Sequence, residues 1–209
     1  MRTKTLLLTA ACAVLGTVAA SAQSVYSVNA VGYVNVNIPV GWSIIANPLN
    51  TTNNTIAGVL TSLPDSTIIY SWNGTAYQQA VYYSDGWDGA SATSAFAPGT
   101  AVWIKNGTKA PFTITFVGEV PTGTLTNAVT VGYSLKGSVV PQSAALDTVL
   151  GFSPSDTDTI LLFRNNNWVQ SVYYAGDGWD PSAPVPAVGE GFFIKTKVAK
   201  NWVRTFTIN

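Results

Sequence analysis

The chain has no histidine, a single cysteine (Cys12), a single methionine (Met1), and only 10% charged residues. The missing imidazole excludes Ser-His-Asp and Cys-His catalysis and removes the commonest transition-metal ligand. Glycine is plentiful, yet no Gly-rich loop leads into Lys-Ser or Lys-Thr, and Gly99 and Gly107 stand among strand-like runs, so a phosphate loop is not expected. Ten basic residues balance ten acidic ones, which leaves no electrostatic footprint for nucleic acid. No apolar run reaches the roughly 20 residues that a membrane-crossing helix needs.

The amino terminus carries an address. Met1-Arg2-Thr3-Lys4 is positive, Leu6 to Gly16 is mostly apolar, and Ala20-Ser21-Ala22 is a small-x-small cleavage signal before Gln23. This pattern predicts a secretory signal peptide over residues 1–22 and an exported mature chain, at the cell surface, in the periplasm or outside the cell. A lipoprotein signal at Cys12 would want a leucine three residues earlier, where Thr9 stands. Cleavage after Ala22 removes Cys12 and Met1, so the mature chain has neither a disulfide nor a thiol nucleophile, and packing must supply its stability. Losing Arg2 and Lys4 as well shifts the net charge from zero to minus two.

The rest of the chain is one unit written twice. Val40-Gly41-Trp42-Ser43-Ile44 returns as Val131-Gly132-Tyr133-Ser134-Leu135, and Asp85-Gly86-Trp87-Asp88 returns as Asp177-Gly178-Trp179-Asp180. Ala97-Pro98-Gly99 with Trp103-Ile104-Lys105 returns as Ala187-Val188-Gly189 with Phe193-Ile194-Lys195. The offset stays between 90 and 92 residues, which indicates tandem duplication. A first β repeat with an amino-terminal extension is expected over 23–120 and a second over 121–209. Gly118 to Gly123 forms a short linker between them.

Val34 to Ile38 and Phe112 to Phe116 alternate apolar and polar residues, the period of a strand with one buried face. Further β-branched and aromatic runs lie at Trp42 to Ala46, Thr67 to Trp72, Tyr77 to Tyr83 and Thr100 to Lys105. Asn73-Gly74 reads as a type I′ hairpin turn, with Asn165-Asn166 or Asn166-Asn167 as its counterpart. Ile56, Val59, Leu60 and Leu63 have helical spacing, with Asn53 or Asn54 as the expected cap; Leu146, Val149 and Leu150 repeat it. The reading is a mainly β protein of two tandem, homologous, small antiparallel domains, each a barrel or sandwich with one short helix. Val25 to Val28 has no counterpart before the second unit and can pair with an open sheet edge, in this molecule or a neighbour.

Gly41-Trp42-Ser43-Ile44-Ile45-Ala46-Asn47-Pro48-Leu49, Tyr70-Ser71-Trp72-Asn73-Gly74, Val102-Trp103-Ile104-Lys105 and Phe116-Val117-Gly118-Glu119-Val120 together resemble a widespread, uncharacterised family of exported bacterial proteins. The chain is similar to its two-unit members from Verrucomicrobia and their relatives, over nearly the whole mature length. The resemblance implies secretion and a β-rich module, and it carries no catalytic residues. In the second unit Asn47-Pro48-Leu49 has become Ser138-Val139-Val140.

Candidate ligand-binding residues are the repeated Asp85, Trp87 and Asp88 with Asp177, Trp179 and Asp180. The tryptophans can stack on a sugar or dock a protein; equally, each can fold back over its own core. The aspartates can offer oxygens to calcium, but two carboxylates fall short of the six to eight ligands it takes, and Asp-Gly is ordinary turn chemistry. No cofactor or metal is therefore expected. Glu119 and Glu190, the only glutamates, stand outside the repeated pattern and read as solvated acids. Trp42, Tyr133, Trp103 and Phe193 read as core. Lys195, Lys197, Lys200 and Arg204 read as a soluble edge strand. The sequence thus predicts a non-catalytic structural or adhesive protein whose partner is an extracellular glycan or protein, with self-association as a further option. The alternative is a carboxylate-dependent glycoside hydrolase.

Overall fold

The structure is a computed structural model and describes residues 30–208. The expected signal peptide over residues 1–22 and the Val25 to Val28 segment lie outside the described residues. The first half contains β1 (Val31–Ile38), β2 (Gly41–Ala46), β3 (Thr67–Trp72), β4 (Tyr77–Tyr83), β5 (Gly86–Asp88), β6 (Ala101–Asn106) and β7 (Phe112–Glu119). The second contains β8 (Gly123–Val129), β9 (Gly132–Gly137), β10 (Thr159–Arg164), β11 (Asn167–Tyr174), β12 (Gly178–Asp180), β13 (Gly191–Thr196) and β14 (Lys200–Phe206).

Each half pairs its strands in the same order. A five-stranded antiparallel sheet, β2-β6-β3-β4-β5 in the first half and β9-β13-β10-β11-β12 in the second, faces a two-stranded ribbon, β1-β7 or β8-β14. The halves are thus mainly β and alike, and each is a small sandwich of two separate sheets rather than a closed barrel.

The ribbons follow from period-two alternation. Val34, Val36 and Ile38 pair with Phe116, Ile114 and Phe112, and these apolar pairs point inward. On the outer face Thr115 donates to Asn35 at 2.7 Å. The inward side chains meet Ile45, Ile69, Val102 and Ile104 of the large sheet, with Leu49, Ile56 and Phe96 filling the ends. The second core is built likewise from Val129, Trp202, Ile160, Leu162, Phe192 and Ile194.

The helices are shorter than the spacing predicts. In the first half only Ile56–Val59 is helical, capped by Thr55 rather than by Asn53 or Asn54: the Thr55 hydroxyl accepts from the Gly58 amide at 3.1 Å. A 3-10 turn at Ala90–Thr93 follows later. In the second half residues 145–151 form a turn, with the Val149 amide donating to the Ala145 carbonyl at 3.2 Å. Four residues per turn are enough to bury Ile56 or Leu146, so neither helix needs to grow longer.

The turns also differ between the copies. Asn165 and Asn166 both have positive φ, the geometry of a two-residue type I′ turn joining Arg164 to Asn167. In the first half the same register centres on Gly74-Thr75, with positive φ at Gly74 alone, as in a type II′ turn. Asn73 precedes that turn, and its side-chain oxygen accepts from the Thr75 and Ala76 amides at 2.9 and 2.8 Å.

The halves dock through the large sheets. The Ala46 amide of the first half donates to the Gly189 carbonyl at 2.9 Å, and the Gly137 amide of the second donates to the Gly99 carbonyl at 3.0 Å. Ala46 and Gly137 are equivalent in the repeat, as are Gly99 and Gly189, so the two bonds are reciprocal. Isolated bridges Ile45↔Glu190 and Thr100↔Lys136 are reciprocal in the same way. Such i-to-j and j-to-i contacts mark a two-fold relation, here between two units of one chain. Ile44, Ala46, Ala101 and Leu135 form a third apolar cluster between the halves.

This docking corrects the placement of Trp42 and Tyr133. They stand 36% and 53% exposed, because they share a sheet face with Ile44 and Leu135, turned away from their own cores. Large-sheet strands bury Ile45 on one face and Ile44 on the other, which is why Trp42 to Ala46 reads as a nearly unbroken apolar run.

The contact is close enough to test. A Cβ built on Gly137 would collide with the Ala46 Cβ, and one on Gly191 would lie 2.6 Å from Ile44 Cγ2 and 2.7 Å from Ala101 Cβ. Gly137→Ala is expected to cost about 1–3 kcal/mol through overpacking, read as a lower urea midpoint. Adding Ala46→Gly removes the opposing methyl and should restore much of the loss. A double variant no better than the single would refute the close approach.

Candidate functional site

The sequence-predicted loops lie far along each large sheet, on its last strand. Trp87 in β5 packs edge-on against Tyr82 with ring centroids 5.2 Å apart, and Trp179 in β12 against Tyr173 at 5.3 Å. Both tryptophans are half-buried and lean on the cores of their own halves. Trp179 Nε1 donates to Asp147 at 2.9 Å, whereas Trp87 Nε1 is buried without a partner. Asp85, Asp88, Asp177 and Asp180 are exposed around them. Among the described residues no three His, Cys, Asp or Glu side chains gather where they could hold a metal ion. Thermal melting in excess Ca²⁺ and in chelator is therefore expected to coincide. An ion bound at 100 times its Kd would add about 2.7 kcal/mol, so a large chelator-sensitive shift would identify these loops as metal sites.

One acid and one lysine behave differently from expectation. Glu190 is no solvated acid: its carboxylate side chain is 13% exposed and takes two bonds from Arg164, Nε to Oε1 at 2.6 Å and Nη2 to Oε2 at 2.5 Å. It also accepts from the Ala187 amide at 2.7 Å. That bonding, together with the carboxylate's charge, raises the Arg164 pKa above its ordinary value, although burial acts against it. Glu119 remains exposed and joins Asn50 by a backbone bridge. Lys200, expected in solvent, reaches into the second half and pairs with buried Asp158.

What the sequence reading missed is an aromatic cleft between the halves. Trp42, Tyr70 and Trp103 from the first half meet Phe163, Trp168 and Phe193 from the second. Trp103 lies 5.1 Å from Phe163, edge-on at 67°, and 5.8 Å from Trp168, nearly perpendicular. At the rim Trp72 and Tyr77 pair at 5.0 Å, on either side of the Gly74-Thr75 turn. Two concave regions, of about 510 and about 900 Å³, share Tyr77 and Trp168 and form one cleft.

The second groove that the duplication implies is lined differently. The position equivalent to the larger region lies across the two-fold, a groove of about 560 Å³ lined by Trp42, Ile44, Phe163, Arg164 and Glu190. There the Arg164–Glu190 pair occupies the wall, and Arg164 also bonds the Val185 carbonyl at 2.9 Å. In the open cleft Asn73 and Thr100 replace Arg164 and Glu190, and Asn73 is turned into its own hairpin. That Glu190 stands outside the repeated pattern was legible in the sequence. Its meaning was not, since the groove it lines takes its walls from both halves of the chain.

Lys105 Nζ sits 5.5 Å from the centre of the Trp42 ring, and Lys195 Nζ sits 5.4 Å from that of Tyr133. These two contacts are again equivalent in the repeat. Neither lysine has a carboxylate within 4.0 Å among the described residues, where the ion pairs are Arg164–Glu190 and Lys200–Asp158. Lys136, on β9 beside the larger region, has its pKa lowered by burial. Among the described residues no helix is long and apolar enough to cross a membrane. No family model matches the chain, and neither the curated proteins nor the solved structures searched contain a match.

Proposed function

We propose that the mature chain is an exported, non-catalytic protein with a structural or adhesive role at the cell envelope or outside it, and that it binds glycan. The observation that carries this reading is the aromatic cleft between the halves. Trp42, Trp72, Tyr77, Tyr133 and Trp168 are all more than a third exposed there, a concentration that a soluble surface seldom keeps without a partner. Flat rings with polar edges suit the apolar faces of sugar rings, while hydroxyl and amide groups at the rim fix orientation. The amino-terminal address over residues 1–22 and the absence of histidine support export and a non-catalytic role.

A glycan array followed by calorimetry on the mature chain tests this. Trp72 and Tyr77 touch mainly each other, so Trp72→Ala and Tyr77→Ala should leave the melting temperature nearly unchanged. Each is expected to weaken saturable binding by about 30-fold, the scale of an interface anchor losing roughly 2 kcal/mol. Binding that survives both and fails in Asp85→Asn with Asp177→Asn would move the site to the Asp-Gly-Trp-Asp loops. No binding to any glycan would refute the glycan reading, and polysaccharide turnover lost with Glu190→Gln would refute the non-catalytic one.

A further inference from the structure

The geometry points to an acidic polysaccharide, one bearing uronate carboxylates, as the ligand of the aromatic cleft; this deepens the glycan reading and rests on it. The cleft combines two chemistries on one surface. Its rings offer stacking faces, each half sets a lysine against one of those rings, Lys105 over Trp42 and Lys195 over Tyr133, and Lys136 lines the larger region.

Lys105 and Lys195 are the only cations the two equivalent strands β6 and β13 present beside the rings, and neither is neutralised by a carboxylate within 4.0 Å among the described residues. The groove across the two-fold differs in charge. There the cation Arg164 is satisfied by Glu190 and a backbone carbonyl, so that groove offers an anion nothing.

A lysine held against a ring loses little further freedom when it meets a carboxylate, because the ring already restricts the stem. A neutral sugar would stack equally well but would leave both ammonium groups in water. A linear chain with a carboxylate on successive sugars can instead meet more than one of these ammonium groups, while its ring faces lie on the aromatics beside them. Weak charge contacts joined by one ligand then reinforce each other. The paired lysines, placed alike by the two-fold, suit a repeating polymer better than a single charged group.

The test uses the mature chain and calorimetric titration with oligogalacturonate and oligoalginate, against cello- and xylo-oligosaccharides of matched length. Uronate oligomers should bind more tightly than neutral ones and weaken as salt rises, since exposed charge contacts are screened. Lys105→Gln and Lys195→Gln are each expected to reduce uronate affinity by about fivefold, leave neutral-sugar affinity unchanged and flatten the salt dependence. Retained melting temperatures would show that both variants fold. Neutral oligomers binding as tightly as uronates, or uronate binding indifferent to both substitutions, would overturn the charge-matched ligand while leaving the glycan reading intact. Failure of every oligomer, charged and neutral, would overturn both.

Discussion

Replacing Trp202 with alanine is expected to destabilise the second half by about 3–5 kcal/mol, the cost of emptying a large aromatic site in a close-packed core. The side chain is almost wholly buried on β14, with Phe152 at 5.9 Å and Phe192 at 6.2 Å between ring centroids. Its Nε1 donates to the Leu150 carbonyl at 2.7 Å, which ties the ribbon to the helical turn beneath it. Alanine leaves both a cavity and a carbonyl without that partner. Trp202→Phe refills much of the cavity but not the bond, so it should cost about 1–3 kcal/mol. The first half fills its equivalent ribbon with Ile114 and Phe116 and shares none of these contacts. Calorimetry should therefore show one part of the unfolding transition moving down while the other holds nearer its place. A loss under about 1 kcal/mol in urea denaturation followed by circular dichroism would show that Trp202 does not organise this core.

Lys200→Met is expected to cost a similar amount, about 3–5 kcal/mol, for an electrostatic reason. The Lys200 ammonium meets the Asp158 carboxylate, donates to Ser155 Oγ at 2.8 Å and to the Ser153 carbonyl at 3.2 Å, and lies 5.3 Å from the Phe152 ring. The Asp158 side chain is 1% exposed; its Oδ2 also accepts from the Ser155 amide at 2.8 Å, while Oδ1 has no partner. Without the cation a carboxylate would remain in the interior, poorly solvated and uncompensated. Adding Asp158→Asn to Lys200→Met removes that charge and should recover most of the stability. A single variant costing less than about 1 kcal/mol would place the pair with ordinary surface salt bridges.

Local pattern reached the ribbons and stopped at the docked faces. Val34 to Ile38 alternates because its ribbon has one dry face and one wet one, so the inward set could be read directly. Trp42 and Tyr133 could not be placed that way, since the face they occupy is covered only where the other half arrives. The same limit hid the candidate cleft. Trp103 and Phe163 touch across the two-fold, and Lys105 with Lys195 gains significance only once two copies of one strand are set side by side.

The amino-acid sequence alone determined the duplication, the β class and the alternating strands of each ribbon, because these are properties of residue order over a few to ninety positions. It also limited the chemistry, since a histidine that is absent cannot be supplied by folding. Only the tertiary structure decided which face of each large sheet is buried against the other half, that Arg164 with Glu190 lines one groove, and that the equivalent groove is aromatic. Those outcomes depend on a reciprocal docking in which backbone groups of the two halves, such as Ala46 with Gly189 and Gly137 with Gly99, come within hydrogen-bonding distance. No periodicity within either copy encodes which of its two apolar faces the other copy will cover.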